Sequence, residues 1–301
     1  MTDVSSTPGE PDAAAGTGID TTVPHSARIW NYWLGGKDNY AVDREAGDQF
    51  SAIYPGIVDI ARADRAFLGR VVRFLAGEAG VRQFLDVGTG LPTADNTHQV
   101  AQSVAPESQI VYVDNDPLVL THARALLTST PEGSTHYVDA NMADPAKVLL
   151  EAGKWLDLTQ PVGLTFMGVL GHVTNHDEAR AIVTGLLDGL ASGSYLAIND
   201  SVNTSEALEE ALRVYEASGA VPYRTRSVEQ FAGYFDGLNW SSPAWFWWRT
   251  GAPILAPTVV PRYRKWEASD ASRSGVAAGR KAAAAGMRDI TARSPGGVAL
   301  A

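Results

Sequence analysis

The feature that most constrains this chain is a regular alternation of short apolar runs and amphipathic stretches between Gln83 and Ser218. Runs rich in apolar and β-branched residues at 83–87, 109–114, 135–138, 162–169 and 194–199 read as buried strands. Helical periodicity follows each of them, at about 94–104, 117–127, 145–153, 177–190 and 205–218. Pro117 suits a first helical turn, with Asp116 ahead of it as a cap. Five βα units in a row predict an α/β fold, a doubly wound and mostly parallel Rossmann-like sheet with helices on both faces.

The flanks divide into further segments. Residues 1–18 are rich in Pro, Gly, Ser, Thr and Ala and are expected to be disordered. Residues 19–80 read as a helical cap or lid. Ile29, Trp30, Trp33 and Leu34 recur at helical spacing before Gly35-Gly36, and 57–75 forms a long amphipathic pattern leading up to the sheet. The sheet domain is expected over 81–261, with a short helix at 227–235 and an aromatic strand or hairpin at 238–250. Residues 262–301 form a basic, Ala/Gly-rich extension.

Composition narrows the class. The 301 residues include no cysteine, so disulfides, a thiol nucleophile and Cys-ligated metal are excluded. The first residues lack the basic and apolar regions of a signal peptide, and no apolar run is long enough to span a bilayer. A cytoplasmic protein with no membrane partner is expected. The net charge is −10, with eight Lys/Arg against three Asp/Glu from Arg262 onward, which leaves −15 on residues 1–261. So acidic a body disfavours nucleic acid.

In open parallel sheets the ligand sits at the carboxyl ends of the strands, where strand order reverses. Polar and small residues cluster there. Asp86, Gly88, Thr89 and Gly90 of FLDVGTGLPT follow the first strand, and Asp114, Asn115 and Asp116 the second. Asp139, Ala140 and Asn141 follow the third, and Gly168 to His172 the fourth. A dinucleotide site needs G-x-G-x-x-G/A, and the third position here is Thr93. A ligand with an ammonium, a carboxylate and a ribose fits better. Asp86 would meet the ammonium, the N–H groups of the Gly88–Gly90 turn the carboxylate, Asp114 the ribose hydroxyls, and Asp139 an adenine amine. S-adenosylmethionine is such a ligand. The bland alternative, glycines making a tight turn and acids capping helices, stays open residue by residue.

The stretches IDTTVPHSARIWNYWLGGKDNYAVDREAGD, FLDVGTGLPT and QIVYVDNDPLVLTHARALL resemble the actinobacterial S-adenosyl methyltransferase family, long known only as a domain of unknown function. The likeness runs from about Ile19 to Arg249, and the Gly35-Gly36-Lys37-Asp38-Asn39 signature makes it specific. It implies a class I methyltransferase that binds S-adenosyl-L-methionine through the residues above. It also implies an N-terminal segment closing over the cofactor, with Tyr32 and Asn39 toward the site and Trp30 and Trp33 packing the helices. The sequence departs from the family where an acceptor would sit. Asn141, Met142 and Ala143 interrupt the expected D-A-D-x-R-D-P, Gly171 holds the usual histidine position with His172 beside it, and Asn199-Asp200 replaces a His-containing stretch. The ending after Thr250 also differs. An acceptor unlike that of the relatives is expected.

Methyl transfer needs proximity and alignment, and a base only where the acceptor must lose a proton. His172 is the first candidate base, ahead of His176 and Asp200; a structural hydrogen bond is the competing role. No metal site is expected, since His172 and His176 sit four apart in a loop. The nucleophile elbow G-x-S-x-G is absent from the sequence, which disfavours a hydrolase. The run Pro243-Ala244-Trp245-Phe246-Trp247-Trp248-Arg249 reads as core, or as one wall for a planar acceptor. The expected function is methyl transfer to a small-molecule acceptor, with secondary metabolism as one setting. A noncatalytic S-adenosylmethionine sensor and an NAD(P)-dependent oxidoreductase are the alternatives.

Overall fold

The computed structural model describes residues 19–126 and 128–238. The expected N-terminal tail, the aromatic run at 243–249 and the basic extension lie outside the described residues.

Three helices precede the sheet: α1 (Ser26–Trp33), α2 (Ala41–Ile53) and α3 (Ile57–Gly77). The alternation then runs β1 (Gln83–Val87), α4 (Thr97–Val104), β2 (Gln109–Asp114), α5 (Pro117–Leu126), β3 (Ser134–Asp139), α6 (Pro145–Ala152) and β4 (Val162–Met167). A 3-10 turn at Leu170–His172 leads to α7 (His176–Asp188), β5 (Tyr195–Asn199), α8 (Glu206–Ala217) and α9 (Val228–Gly233). The strands form one parallel sheet in the order β3-β2-β1-β4-β5. The order reverses between β1 and β4, so their carboxyl ends open a crevice.

Burial explains why the strands read as unbroken apolar runs: every residue of β1 is buried, as a two-sided parallel sheet requires. Leu85, Val87, Val111, Val113, Leu164 and Phe166 pack one face against α6, α7 and α9 through Val148, Val183, Leu186 and Phe231. Phe84, Ile110, Tyr112 and Ala197 pack the other against α3 and α4 through Val72, Leu75 and Val100. A third cluster joins α1, α2, the start of α3 and α8, with Ile29, Trp33, Phe50, Tyr54, Leu212 and Tyr215 at its centre.

Element ends follow local chemistry. The fourth helix starts at Thr97 rather than near Ala94, because Asp95 has a left-handed φ of 57° and Asn96 caps the helix. The Asn96 carboxamide accepts the Thr93 N–H at 3.0 Å, and Gln99 accepts the Asn96 N–H at 2.9 Å. The fourth strand stops at Met167 because Gly168 turns left-handed at φ 68°. The second helix has a thin apolar stripe in the sequence, Val42, Ala46, Phe50 and Ile53. Its buried face carries Asp43, Ala46, Gly47 and Phe50, so an acid and a glycine break the pattern.

Asp43 fastens α1 to α2. Its carboxylate faces the Arg28 guanidinium at 2.9 Å, with both side chains buried. It also accepts the His25 N–H at 2.9 Å and the Tyr40 N–H at 2.8 Å. Arg28 spends its remaining donors on the Asp20 and Val23 carbonyls. With Trp33 tilted against Phe50 at 5.2 Å, α1 is a packed roof rather than a loose flap. Among the described residues no helix is long and apolar enough to cross a membrane. Removing one partner of such an ion pair strands the other in the interior. Asp43→Ala is therefore expected to lower the unfolding free energy by about 3–5 kcal/mol, measured by urea denaturation.

Candidate cofactor and acceptor site

A cavity of about 560 Å³ opens at the carboxyl ends of β1, β2 and β4, roofed by α1. Its floor is made by glycines in left-handed conformation. Gly88 has φ 70°, and a Cβ there would stand 2.3 Å from Val169 Cγ2 on the facing turn. Its N–H is held by the Val113 carbonyl at 2.8 Å. Gly90, at φ 65°, donates its N–H to Asp114 Oδ2 at 2.9 Å. Gly168 gives its N–H to the Asn199 carbonyl at 2.7 Å, and a Cβ on it would meet Trp30 at 3.8 Å.

Gly88, Thr89, Gly90, Asp114, Asn115, Ala140, Gly168 and His172, all expected from the sequence, line this one cavity. Asp114 shapes the turn as well as the wall. Its Oδ1 accepts the N–H groups of Asn115 at 2.8 Å and Asp116 at 3.0 Å. Burial pushes its carboxyl above the usual range, against the pull of those donors.

Four expected residues do not line it. Asp86 points into the layer between sheet and helices, 4% exposed, where Thr97 Oγ1 donates to Oδ2 at 2.6 Å and Thr165 Oγ1 to Oδ1 at 2.9 Å. Strand alternation puts it on the same face as Phe84, beside Thr165 in register. Asp139 ends β3 exposed, and its neighbours Ala140 to Ala143 form the wall instead. Tyr32 donates its hydroxyl to Asp48 at 2.8 Å. Asn39 donates to Asn31 Oδ1 at 2.9 Å and to the Gly36 carbonyl at 3.0 Å.

The glycine signature thus acts through Asn31, which is buried and lines the cavity. Gly36 folds back onto it so closely that a Cβ would stand 2.3 Å from Asn31 Nδ2. The two tryptophans divide: Trp33 packs α1 onto α2, while Trp30 reaches the cavity, edge-on to Trp33 at 5.7 Å.

His172 lies at the wall with Nδ1 3.1 Å from the Pro222 carbonyl and its ring edge-on to Tyr223 at 5.1 Å. A carbonyl only accepts, so Nδ1 carries the proton and Nε2 keeps the free lone pair. Burial lowers the pKa of this imidazole and keeps it neutral. The segment behind it is fixed: Arg224 N–H donates to the Gly171 carbonyl at 2.8 Å. A Cβ at Gly171 would strike the Tyr223 ring at 2.4 Å, so Tyr223 accounts for glycine at this position. Asp200 is buried below, accepting the Gly171 and Ser201 N–H groups at 2.9 Å and the Tyr223 hydroxyl. Burial pushes its carboxyl up to about 6. It does not reach the cavity, nor does His176, which opens α7.

Asp64 and Arg65 of α3 line the cavity, and sequence reasoning missed both as site residues. The signal was present: Asp64 stands four residues from both Ile60 and Leu68, in the middle of the buried stripe. An acid there needs a reason.

A parallel sheet with this order, left-handed glycines at the reversal and a carboxylate after β2 defines a Rossmann-like nucleotide-binding arrangement, the one class I methyltransferases use. The chain belongs to the S-adenosyl methyltransferase family, whose sequence pattern matches residues 12–287. It is similar to a DUF574 family protein of known structure from Streptomyces avermitilis, at 45% identity over 81% of this chain and 98% of that one, with a TM-score of 0.74. It is also similar to a methyltransferase candidate from Thermobifida fusca, at 34% identity over 85% and 100% of the two chains, with the same TM-score. No curated protein matches the chain.

The family decides for the adenosyl donor over the dinucleotide, and the geometry agrees. A pyrophosphate site needs a helix starting at the glycines, whereas α4 starts at Thr97 after six intervening residues. The acid after β2 fits an adenosyl amino acid, whereas the N–H groups of the Gly88–Gly90 turn, expected to hold its carboxylate, are given to the Val113 carbonyl and Asp114 Oδ2. Gly88→Ala is expected to cost about 1–3 kcal/mol of stability from its left-handed φ and to weaken S-adenosylhomocysteine binding. Adding Val169→Ala removes the two methyl groups but leaves the Val169 Cβ, 2.7 Å away, and the left-handed φ, so thermal unfolding and calorimetry should both show partial recovery only.

Proposed function

We propose that this methyltransferase acts on a small-molecule acceptor whose attacking atom carries a proton, with His172 as the base. The observation that carries the reading is the Nδ1 hydrogen bond to Pro222, which leaves Nε2 of a neutral imidazole as the acceptor at the cavity wall. Bound S-adenosylmethionine supplies an electrophilic methyl group, transferred by in-line displacement. His172 takes the proton from the acceptor oxygen or nitrogen as that atom bonds to the methyl carbon. Trp30, Met142, Val169 and Val173 give the acceptor an apolar setting, and Val221 stands exposed at the rim.

Two features favour a small acceptor over a macromolecule. The cavity volume lies within the roughly 300–1,000 Å³ usual for small-molecule sites, and α1 roofs it with His25, Ser26, Ala27, Trp30, Asn31 and Leu34. The net charge of −10 repels phosphate backbones. The cysteine-free sequence suits a cytoplasmic setting, which we include in the proposal.

A labelled methyl-transfer screen over hydroxylated and amine-bearing small molecules tests the acceptor class, with folded proteins and RNA as the contrasting arm. On the acceptor found, His172→Gln should lower kcat by about 10²–10⁴ and leave S-adenosylhomocysteine affinity unchanged. Because burial depresses the His172 pKa, kcat should hold steady as pH falls to about 6.5, the ordinary value of a histidine, and decline only below it. An unchanged kcat in the variant makes His172 a structural residue.

A further inference from the structure

The third helix projects an acid into the cavity from the middle of its apolar stripe, and nothing in the fold of the helix requires it. Asp64 accepts a hydrogen bond from the Asn199 carboxamide at the end of β5 and otherwise faces the space at the ends of β1 and β4. The charged groups around it do not balance. Asp86 approaches from β1 and Asp200 from the turn after β5, both buried, and Arg65 is the one cation among these neighbours. Arg65 is in part committed elsewhere, since Nη2 donates to the Ala94 and Asp95 carbonyls at 3.1 and 3.2 Å, while its buried Nε has no hydrogen-bond partner among the described residues. Three carboxylates against one guanidinium leave the cluster around Asp64 two charges negative when all are ionised. A cation entering the cavity relieves that imbalance.

Of the three acids only Asp64 reaches the ligand space. Both oxygens of Asp86 are taken by the Thr97 and Thr165 hydroxyls, and Asp200 is closed off by Gly171, Ser201 and Tyr223. Resting on the cofactor assignment of the family, we propose that Asp64 is the carboxylate that receives the ammonium of the S-adenosylmethionine amino-acid end. Asp86 then acts one layer below, as a positioning residue that keeps Thr97 and Thr165 in place.

A consequence follows for protons. Burial, with Asp200 and Asp86 adding to it, pushes Asp64 up to about 7 in the free protein. An ammonium beside it favours the ionised form, so binding near or below pH 7 expels a proton. Affinity should accordingly rise with pH through about 7 and level off above it.

Isothermal calorimetry with two nucleosides tests this. S-adenosylhomocysteine has the ammonium without the sulfonium, and 5′-methylthioadenosine lacks the amino-acid end altogether. The variant Asp64→Asn keeps an oxygen for the Asn199 carboxamide. It should bind S-adenosylhomocysteine about 10- to 100-fold more weakly at pH 8, as loss of a charged hydrogen bond predicts, and 5′-methylthioadenosine as wild type does. At pH 6.5, in two buffers of unlike ionisation enthalpy, wild type should release about three-quarters of a proton per S-adenosylhomocysteine bound and none with 5′-methylthioadenosine. The proton count needs no variant and stands if Asp64→Asn fails to fold. Equal S-adenosylhomocysteine affinity in variant and wild type, equal weakening of both nucleosides, or no proton release overturns the proposal. Failure of wild type to bind either nucleoside overturns the cofactor assignment, and this proposal with it.

Discussion

The site depends on the close approach of Gly88 and Val169, at the reversal of strand order between β1 and β4. Two parallel strands leave the sheet there in opposite directions around it, and each turn begins with a glycine in left-handed conformation. With no Cβ at Gly88 the facing turn can close to van der Waals distance, which brings the β4 turn and His172 to the same cavity as Gly90 and Asp114. A larger residue would separate the two walls. The Asp114 carboxylate completes the arrangement by tying its own strand end to the Gly90 N–H. The cavity is therefore set by backbone conformation at a few positions, and side chains around it are free to differ with the acceptor.

The roof is anchored with equal economy. Asp43 gathers an arginine and two backbone N–H groups from α1 and the turn before α2, and Asn31 gathers the glycine signature. Residues of α1 that face the cavity, Ala27, Trp30 and Asn31, are thereby held by residues that do not touch it. Access for an acceptor is left at the rim near Val221, beside the β4 turn. The acids divide their tasks by their partners. Asp43 is paired with Arg28, Asp86 is held by two hydroxyls and Asp200 by N–H groups and a phenol, and of these four Asp64 keeps a face toward the ligand space.

The sheet was legible in the sequence because buried parallel strands have to be unbroken apolar runs, and β1 and β2 end where the apolar runs end. The cavity floor was legible because a turn with φ above zero demands glycine, as at Gly88 and Gly90. Ordinary periodicity hid α2, since the fastening acid Asp43 and the close-packed Gly47 occupy its inward face. Asp86 was expected at the cavity because it precedes the glycines in sequence. Strand alternation turns it the same way as Phe84, away from the cavity, and Asp64, which does line it, comes from a helix twenty-two residues earlier. Tyr32 and Asn39 belong to the right segment but brace the roof from behind, a distinction that only three-dimensional contacts reveal. At Asp139 the chain turns so that the following backbone, not the carboxylate, borders the cavity.

A crystal structure with S-adenosylhomocysteine tests the central claim most directly. The account predicts density for the nucleoside beneath Trp30, running from the ends of β2 and β3 across Gly88–Gly90, with the amino-acid end beside Asp64. A ligand bound elsewhere on the chain, or a crevice closed by side chains at Gly88 and Gly168 with no room for it, would contradict the account.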